Sequence, residues 1–148
     1  KVAGTPGRET VSFYRIIDHT ADLGIEVPGA TREDVLARAA EALFDLLAER
    51  DRVRESAART VRAEGEDAAD LLVNFLRECL ALYTGEGFLV RSARVRLGEG
   101  AAVEAEVRGE PYDPGRHRIR MEIKAVTWHG AALEKTPDGW TGRAIFDV

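Results

Sequence analysis

Two carboxylates, an imidazole and a hydroxyl lie within five residues near the start of the sequence, in the stretch DHTAD from Asp18 to Asp22. This stretch allows two interpretations. Asp18 or Asp22 could accept hydrogen bonds from nearby backbone amides in a turn, as aspartates often do. Alternatively, the stretch is one half of a site for a divalent cation, and the remaining oxygen ligands come from elsewhere in the chain.

The last residues of the sequence offer such ligands. They read RAIFDV, and the alternation from Arg143 to Phe146 predicts a strand. A strand here holds the side chain of Asp147 and the terminal carboxylate of Val148 one residue apart. If Asp22 lies beside them, three carboxylates repel one another and favour a hard cation: Ca²⁺ or Mg²⁺, with Mn²⁺ as a further candidate. The alternative is a solvated terminus that is far from Asp22.

A third feature is a lysine in a chain whose basic residues are mostly arginine. Lys124 lies in the stretch MEIKAVTWHG, and the other lysines are Lys1 and Lys135. On the strand predicted for this stretch, Glu122 and Lys124 share one face. They could form an exposed neighbour pair worth under about 1 kcal/mol. The alternative is a functional role, because a compact ammonium binds different groups from a planar guanidinium.

Several common kinds of site have no motif in this sequence. It contains no phosphate-binding GxxxxGK[ST] loop, no GxGxxG and no HExxH. His19, His117 and His129 are too far apart for the usual spacing of zinc ligands. Cys79 falls in an apolar stripe with helical spacing, which favours a buried, inert thiol over a nucleophile.

Composition and charge limit the partners. The net charge of the 148-residue chain is −5, whereas a stand-alone nucleic-acid binder usually has a basic surface. We therefore expect no direct nucleic-acid binding as the main role, and a cation or a basic protein as the partner. The apolar runs are far shorter than the ~20 residues that span a bilayer, and the chain does not open with a secretory signal pattern. We expect a cytoplasmic protein with no membrane partner.

The first half of the chain must position the DHTAD stretch. Residues 1–12 are rich in Gly, Pro, Ser and Thr and predict a loose tail before a single domain over residues 13–148. Strands are predicted at Phe13–Ile17 and Leu23–Val27. A helix begins after Thr31, whose side chain can cap it. A third strand, Arg59–Glu64, precedes a second helix from near Asp67 to about Thr84.

The second half alternates with period two and predicts strands at Phe88–Leu97, Ala101–Arg108 and Ile119–Trp128. Two further strands, Ala132–Lys135 and Trp140–Val148, flank a hairpin turn. The order of two strands, helix, strand, helix and about five strands predicts an α+β fold. In this fold, two helices pack on a mostly antiparallel β-sheet in a single compact domain.

Five stretches of the sequence, taken in order, resemble the archease family and together span about residues 13–148. They read DHTADLGIEV, LLVNFLRECL, GEPYDPGRH, EIKAVTWHG and DGWTGRAIFDV. The resemblance implies an α+β protein that is not an enzyme. It implies instead a protein cofactor of the tRNA-splicing RNA ligase, which joins a 3′-phosphate end to a 5′-hydroxyl end with GTP and Mn²⁺. Such a cofactor promotes guanylylation of the ligase and its multiple turnover.

The resemblance also implies which residues act. It implies a metal site at Asp22, Asp147 and the carboxylate of Val148, because HTAD and FDV are both intact here. Lys124 matches the lysine of the family's EIKAVT motif. The family site is therefore similar to the cation site that the carboxylates suggest on their own.

Four more residues are candidates for contact with the partner or for another function: Asp18 and His19 beside the metal site, and Glu110 and Asp113 in the GEPYD loop. Two alternative functions stay open. One is a small stand-alone phosphoester hydrolase that depends on a divalent metal, with Asp18 or His19 as base. The other is a chaperone-like interaction module that binds unrelated proteins.

Overall fold

Seven β-strands and two α-helices form the part of the chain that the computed structural model describes, which is residues 13–18 and 22–148. The tail expected at residues 1–12 lies outside the described residues, as does His19. In chain order the elements are β1 (Arg15–Asp18), β2 (Asp22–Gly29), α1 (Arg32–Leu47), a short 3₁₀ turn (Arg50–Arg52), β3 (Ala57–Glu64), α2 (Ala68–Glu86), β4 (Phe88–Leu97), β5 (Ala102–Pro111), β6 (Ala125–Thr136) and β7 (Gly139–Asp147).

Both helices begin where the sequence predicts, and each begins at a side-chain cap. Thr31 has an extended backbone, and its hydroxyl accepts a hydrogen bond from the Asp34 N–H at 3.1 Å. Asp67 caps α2 in the same way, accepting from the Asp70 N–H at 2.8 Å. Helix α2 ends at Gly87, whose φ of 69° favours a glycine. The two predicted helices are confirmed, with α2 two residues longer than expected.

The strands form two antiparallel sheets. The first has four strands in the order β1-β2-β7-β6, and the second has three in the order β3-β5-β4. Helix α1 contacts β2, β7 and β4, and α2 contacts β3 and β6, so each helix packs on both sheets. The predicted α+β class is confirmed, although the expected single sheet is divided in two.

The core lies between the helices and the inner faces of the sheets. Helix α1 buries its apolar face there, and Cys79 of α2 is fully buried as expected. Burial raises the pKa of the Cys79 thiol, which keeps it inert. The largest fully buried side chains belong to both helices and both sheets and include Phe44, Phe75, Phe88 and Phe146.

The prediction of one long strand over Ile119–Trp128 is wrong. Ile119 makes only an isolated bridge with Ala48, and the segment 120–124 has no regular structure. Its backbone bonds to the end of α1 instead, because the N–H groups of Arg120 and Met121 both donate to the carbonyl of Leu47. Consequently, β6 begins at Ala125 and runs through the segment predicted as a separate strand, and four strands rather than about five follow α2.

Two glycines provide a test of the packing. A Cβ on Gly109 of β5 would lie 1.8 Å from the Leu89 carbonyl oxygen, whereas a Cβ on Gly85 of α2 would meet nothing within 4 Å. We expect Gly109→Ala to lower the free energy of unfolding by about 3 kcal/mol. Gly85→Ala should raise it by about 0.5–1 kcal/mol, because alanine favours the helix. Urea unfolding measures both changes, and equal stability of the two variants would contradict this packing.

Candidate functional site

The pairing of β2 with β7 brings the two ends of the domain together at Asp22 and Asp147. These residues are direct partners in the antiparallel register, as are their neighbours Leu23 and Phe146. Phe146 is fully buried and Leu23 packs against the core, so Asp22 and Asp147 occupy the outer face. Directly opposed residues have Cβ atoms about 4.5–5.5 Å apart. The structure therefore brings together the two aspartates that the sequence singled out.

Lys124 reaches the same end of the sheet. Its backbone N–H donates to the Asp147 carbonyl at 2.7 Å, and the next residue, Ala125, pairs directly with Asp147. Ala125 presents only a methyl group beside the Asp147 carboxylate. The Lys124 side chain is exposed. Because Lys124 precedes β6 and is not inside a strand, the predicted same-face pair of Glu122 and Lys124 does not form on a sheet surface.

Val148 and Asp18 complete this sheet end. Val148 follows Asp147 and is 41% exposed. Asp18 ends β1, where its backbone pairs with Leu23, the residue next to Asp22. The side chain of Asp18 is not described, and His19 lies outside the described residues. The described residues thus bring Asp22, Asp147, Val148 and Lys124 to one exposed end of the four-stranded sheet.

The chemistry of this donor set fits a hard cation. Like charges directly opposite each other destabilise an antiparallel pair, and a cation held by both carboxylates would remove that cost. Carboxylate oxygens are the ligands that Ca²⁺ and Mg²⁺ prefer. In the described ranges, no three His, Cys, Asp or Glu side chains are grouped to hold a metal ion. Among the described residues, the third protein ligand available here is a carbonyl, a hydroxyl or the carboxylate of Val148.

Thr127 is the last residue of the EIKAVT motif, of which only Lys124 was predicted to have a function. Thr127 pairs with Ile145, two residues before Asp147, so all three side chains share the outer face. The Thr127 Oγ1 atom is buried and has no hydrogen-bond partner. A buried hydroxyl without a partner costs about 1–3 kcal/mol. The predicted alternation correctly placed Ala125 and Thr127 on one face but did not indicate this burial.

A bulge in β6 buries that hydroxyl. The β6–β7 register shifts between Thr127 and Ala132, and Gly130 within the bulge has a φ of 71°. A Cβ on Gly130 would lie 2.8 Å from Ile145 Cδ1, so the bulge backbone folds tightly over the outer face. Ile145 is consequently 4% exposed although it points away from the main core. Gly130 was the only sequence signal of this feature.

Trp128 fixes the bulge to α2. Its indole Nε1 donates to the Asp70 carboxylate at 2.7 Å, and the Arg77 guanidinium lies 4.3 Å from the ring centroid. The ring is nevertheless 51% exposed. These contacts hold the bulge in one position, so the covered row of Thr127 and Ile145 is a constant neighbour of the aspartates.

Comparison with known proteins identifies the family. The model of the Archease protein family matches residues 14–148. Protein archease of Pyrococcus abyssi is 37% identical over 135 residues, covering 88% of this chain and 95% of the relative. Protein archease of Methanopyrus kandleri is 38% identical over 135 residues, covering 89% and 96%. This chain belongs to the archease family.

A solved structure agrees with the fold of this archease chain. The solution structure of Methanobacterium thermoautotrophicum protein 1598 is 26% identical and has a TM-score of 0.78. It covers 93% of this chain and 100% of the other. None of the described helices is long and apolar enough to cross a membrane.

The GEPYD stretch of this archease chain begins inside the other sheet: Glu110, predicted in a loop, is a residue of β5 that pairs with Leu89 and is 5% exposed. The Glu110 carboxylate accepts from Arg116 Nη2 at 2.6 Å and from the Arg54 N–H at 2.9 Å. His117 Nε2 lies 2.8 Å from the same carboxylate, while His117 Nδ1 accepts from the Asp113 N–H at 2.8 Å. Since Nδ1 is an acceptor, the ring proton of neutral His117 is on Nε2 and is donated to Glu110.

The two candidates of the GEPYD stretch therefore differ. Glu110 uses its carboxylate inside the protein to hold the loop. Asp113 is exposed, accepts a hydrogen bond from the Gly115 N–H at 2.9 Å, and remains a candidate for contact with a partner. Burial raises the pKa of Glu110, but the bonds from Arg116, Arg54 and His117 outweigh burial and lower that pKa to about 2.

Acid unfolding tests this account of Glu110. Because its pKa falls from 4.5 to about 2 on folding, the carboxylate stabilises the fold above about pH 4.5 and loses this contribution as the pH approaches 2. We expect Glu110→Gln to lower the free energy of unfolding by about 1–3 kcal/mol at pH 7 and to reduce the loss of stability between pH 4.5 and 2. The exposed Glu55→Gln variant should keep the wild-type pH profile. An unchanged profile in Glu110→Gln would exclude this role.

Proposed function

We propose that this chain is a non-catalytic protein cofactor of the tRNA-splicing RNA ligase, which promotes guanylylation of the ligase and its multiple turnover. The ligase is proposed as the partner because this chain belongs to the archease family and its motifs resemble those of the family. The single observation that supports the mechanism most is the direct pairing of Asp22 with Asp147 at an exposed sheet end. The fold at that end presents carboxylates outward, where a partner can reach them.

In this proposal Asp22, Asp147 and the carboxylate of Val148 hold a divalent cation, Ca²⁺ or Mg²⁺, with Mn²⁺ as a further candidate. The role of Val148 requires that it be the last residue of the protein. Such a cation would supply positive charge toward phosphate oxygens during nucleotidyl transfer. The two aspartates orient the site, because the antiparallel register holds their backbones in fixed positions.

Charge supports docking to such a ligase. An enzyme that binds RNA ends and a nucleotide is expected to be basic around its active site, and this chain has a net charge of −5. Complementary charge raises the rate of encounter and orients the partners. The acidic sheet end would then enter the ligase active site first.

Lys124 has a separate part in the proposal. Its backbone N–H donates to the Asp147 carbonyl, and its side chain is exposed at the same end of the sheet. We assign it to the partner: its ammonium contacts an acidic or phosphate group of the ligase–nucleotide complex. No side-chain contact of Lys124 within the described fold competes with this role.

Replacing Asp22 tests the cation site. We expect Asp22→Asn to reduce ligase guanylylation and multiple-turnover joining by about 100-fold, because one of two opposed ligands is lost, while the melting temperature is kept. The exposed Asp51→Asn variant removes the same charge elsewhere and should retain activity. The assay follows RNA joining by purified ligase with each variant.

Two outcomes of that assay would contradict the proposal. Full activation by Asp22→Asn would exclude the carboxylate mechanism and would favour a chaperone-like module. Hydrolysis of a phosphate ester by this protein without ligase, lost in Asp22→Asn, would instead favour the metal-dependent hydrolase.

Replacing Lys124 tests the partner contact. Lys124→Ala should keep the free energy of unfolding within about 0.5 kcal/mol, because only the backbone of Lys124 bonds within the fold. It should reduce ligase activation by about tenfold. Lys135→Ala, at the other end of β6, removes the same charge and should activate normally. If Lys124→Ala and Lys135→Ala activate equally well, Lys124 has no direct role.

A further inference from the structure

The hydroxyl of Thr127 makes no hydrogen bond within the fold. Its Oγ1 atom is buried and unbonded, and valine has the same shape without a polar atom. The nearby bulge is closed by Gly130 and fixed by Trp128, so a rearrangement of the bulge does not supply a partner. The fold therefore provides no hydrogen-bond partner for this hydroxyl.

The position of Thr127 points to a partner. Thr127 pairs with Ile145, and Asp147 lies two residues further along β7 on the same outer face. Such diagonal neighbours across an antiparallel pair have Cα atoms about 7–8 Å apart, and their side chains can meet. Between Thr127 and the sheet end, β6 presents only the methyl group of Ala125 on this face. Nothing bulky on β6 separates the hydroxyl from the Asp147 carboxylate.

We propose that Thr127 is a positioning residue of the carboxylate pair: its hydroxyl donates a hydrogen bond to the Asp147 carboxylate when the pair holds a divalent cation. This inference rests on the cation site of the proposed function. One Asp147 oxygen then faces the cation and the other faces Thr127. Because the hydroxyl lies under the bulge and away from water, the bond forms in a low local dielectric and is strengthened by it.

The bond also accounts for the position of the bulge. A regular β6 strand would leave the outer face of Thr127 and Ile145 open to water, and water would compete for the hydroxyl. Covering this row with the bulge backbone excludes that competition. Removing a group that hydrogen-bonds to a metal ligand and orients it commonly changes metal affinity by about 10–100-fold.

The test is isothermal titration of the full chain with Ca²⁺ and, separately, Mg²⁺, using wild type, Thr127→Val and Thr127→Ser. We expect Thr127→Val to bind the cation about tenfold more weakly. Thr127→Ser keeps the hydroxyl and should stay within about threefold of wild type. Without cation, Thr127→Val should melt at the wild-type temperature or above, which a purely structural role of the hydroxyl would not allow. Thr141→Val, which alters the same outer face at the far end of β7, is the matched control.

Each other outcome has a definite meaning. Wild-type affinity in Thr127→Val, or equal loss in Thr127→Ser or Thr141→Val, overturns the role of Thr127 and leaves the cation site standing. If the wild type binds neither cation, or if Asp22→Asn binds as well as wild type, then the proposed carboxylate site is wrong and this inference fails with it.

Discussion

The antiparallel register between β2 and β7 is the constraint on which the rest of this structure depends. It is set by the core: Phe146 and Ile25 are fully buried on the inner face. A slip of either strand by one residue would turn its buried side chain, Ile25 or Phe146, outward and would bury its charged ones. The same register fixes Asp22 opposite Asp147 on the outer face. Apolar burial therefore stabilises the close approach of two like charges that would not approach each other unaided.

The buried carboxylate of Glu110 and the carboxylate pair of Asp22 and Asp147 lie in opposite environments. Glu110 is buried, and each of its oxygens accepts hydrogen bonds from Arg116, Arg54 or His117. Its negative charge is compensated within the fold and holds a loop. Asp22 and Asp147 instead pair at an exposed end of the sheet, where the Lys124 N–H donates to the Asp147 carbonyl. Their charge is directed outward and suits a ligand or a partner.

The sequence predicted those features that depend on local patterns. The cap at Thr31, both helices and the last strand followed from side-chain chemistry and periodicity. The segment 120–124 was misjudged, because its alternation is typical of a strand although its N–H groups bond to Leu47 at the end of α1. Which strands pair is a tertiary property, so neither the division into two sheets nor the register of β2 on β7 was readable from periodicity.

The β6 bulge shows why the immediate surroundings of the site were not predictable. Only Gly130 marks it in the sequence, and a glycine in a strand can equally signal weak packing or a bend. The contacts of the bulge are with residues distant in sequence. Ile145 lies beneath it and belongs to β7, and Asp70 lies beside it and belongs to α2. The bulge converts one row of an exposed sheet face into a covered, apolar row that borders the aspartates. The electrostatics at this sheet end therefore depend on a backbone irregularity as well as on the acidic residues themselves.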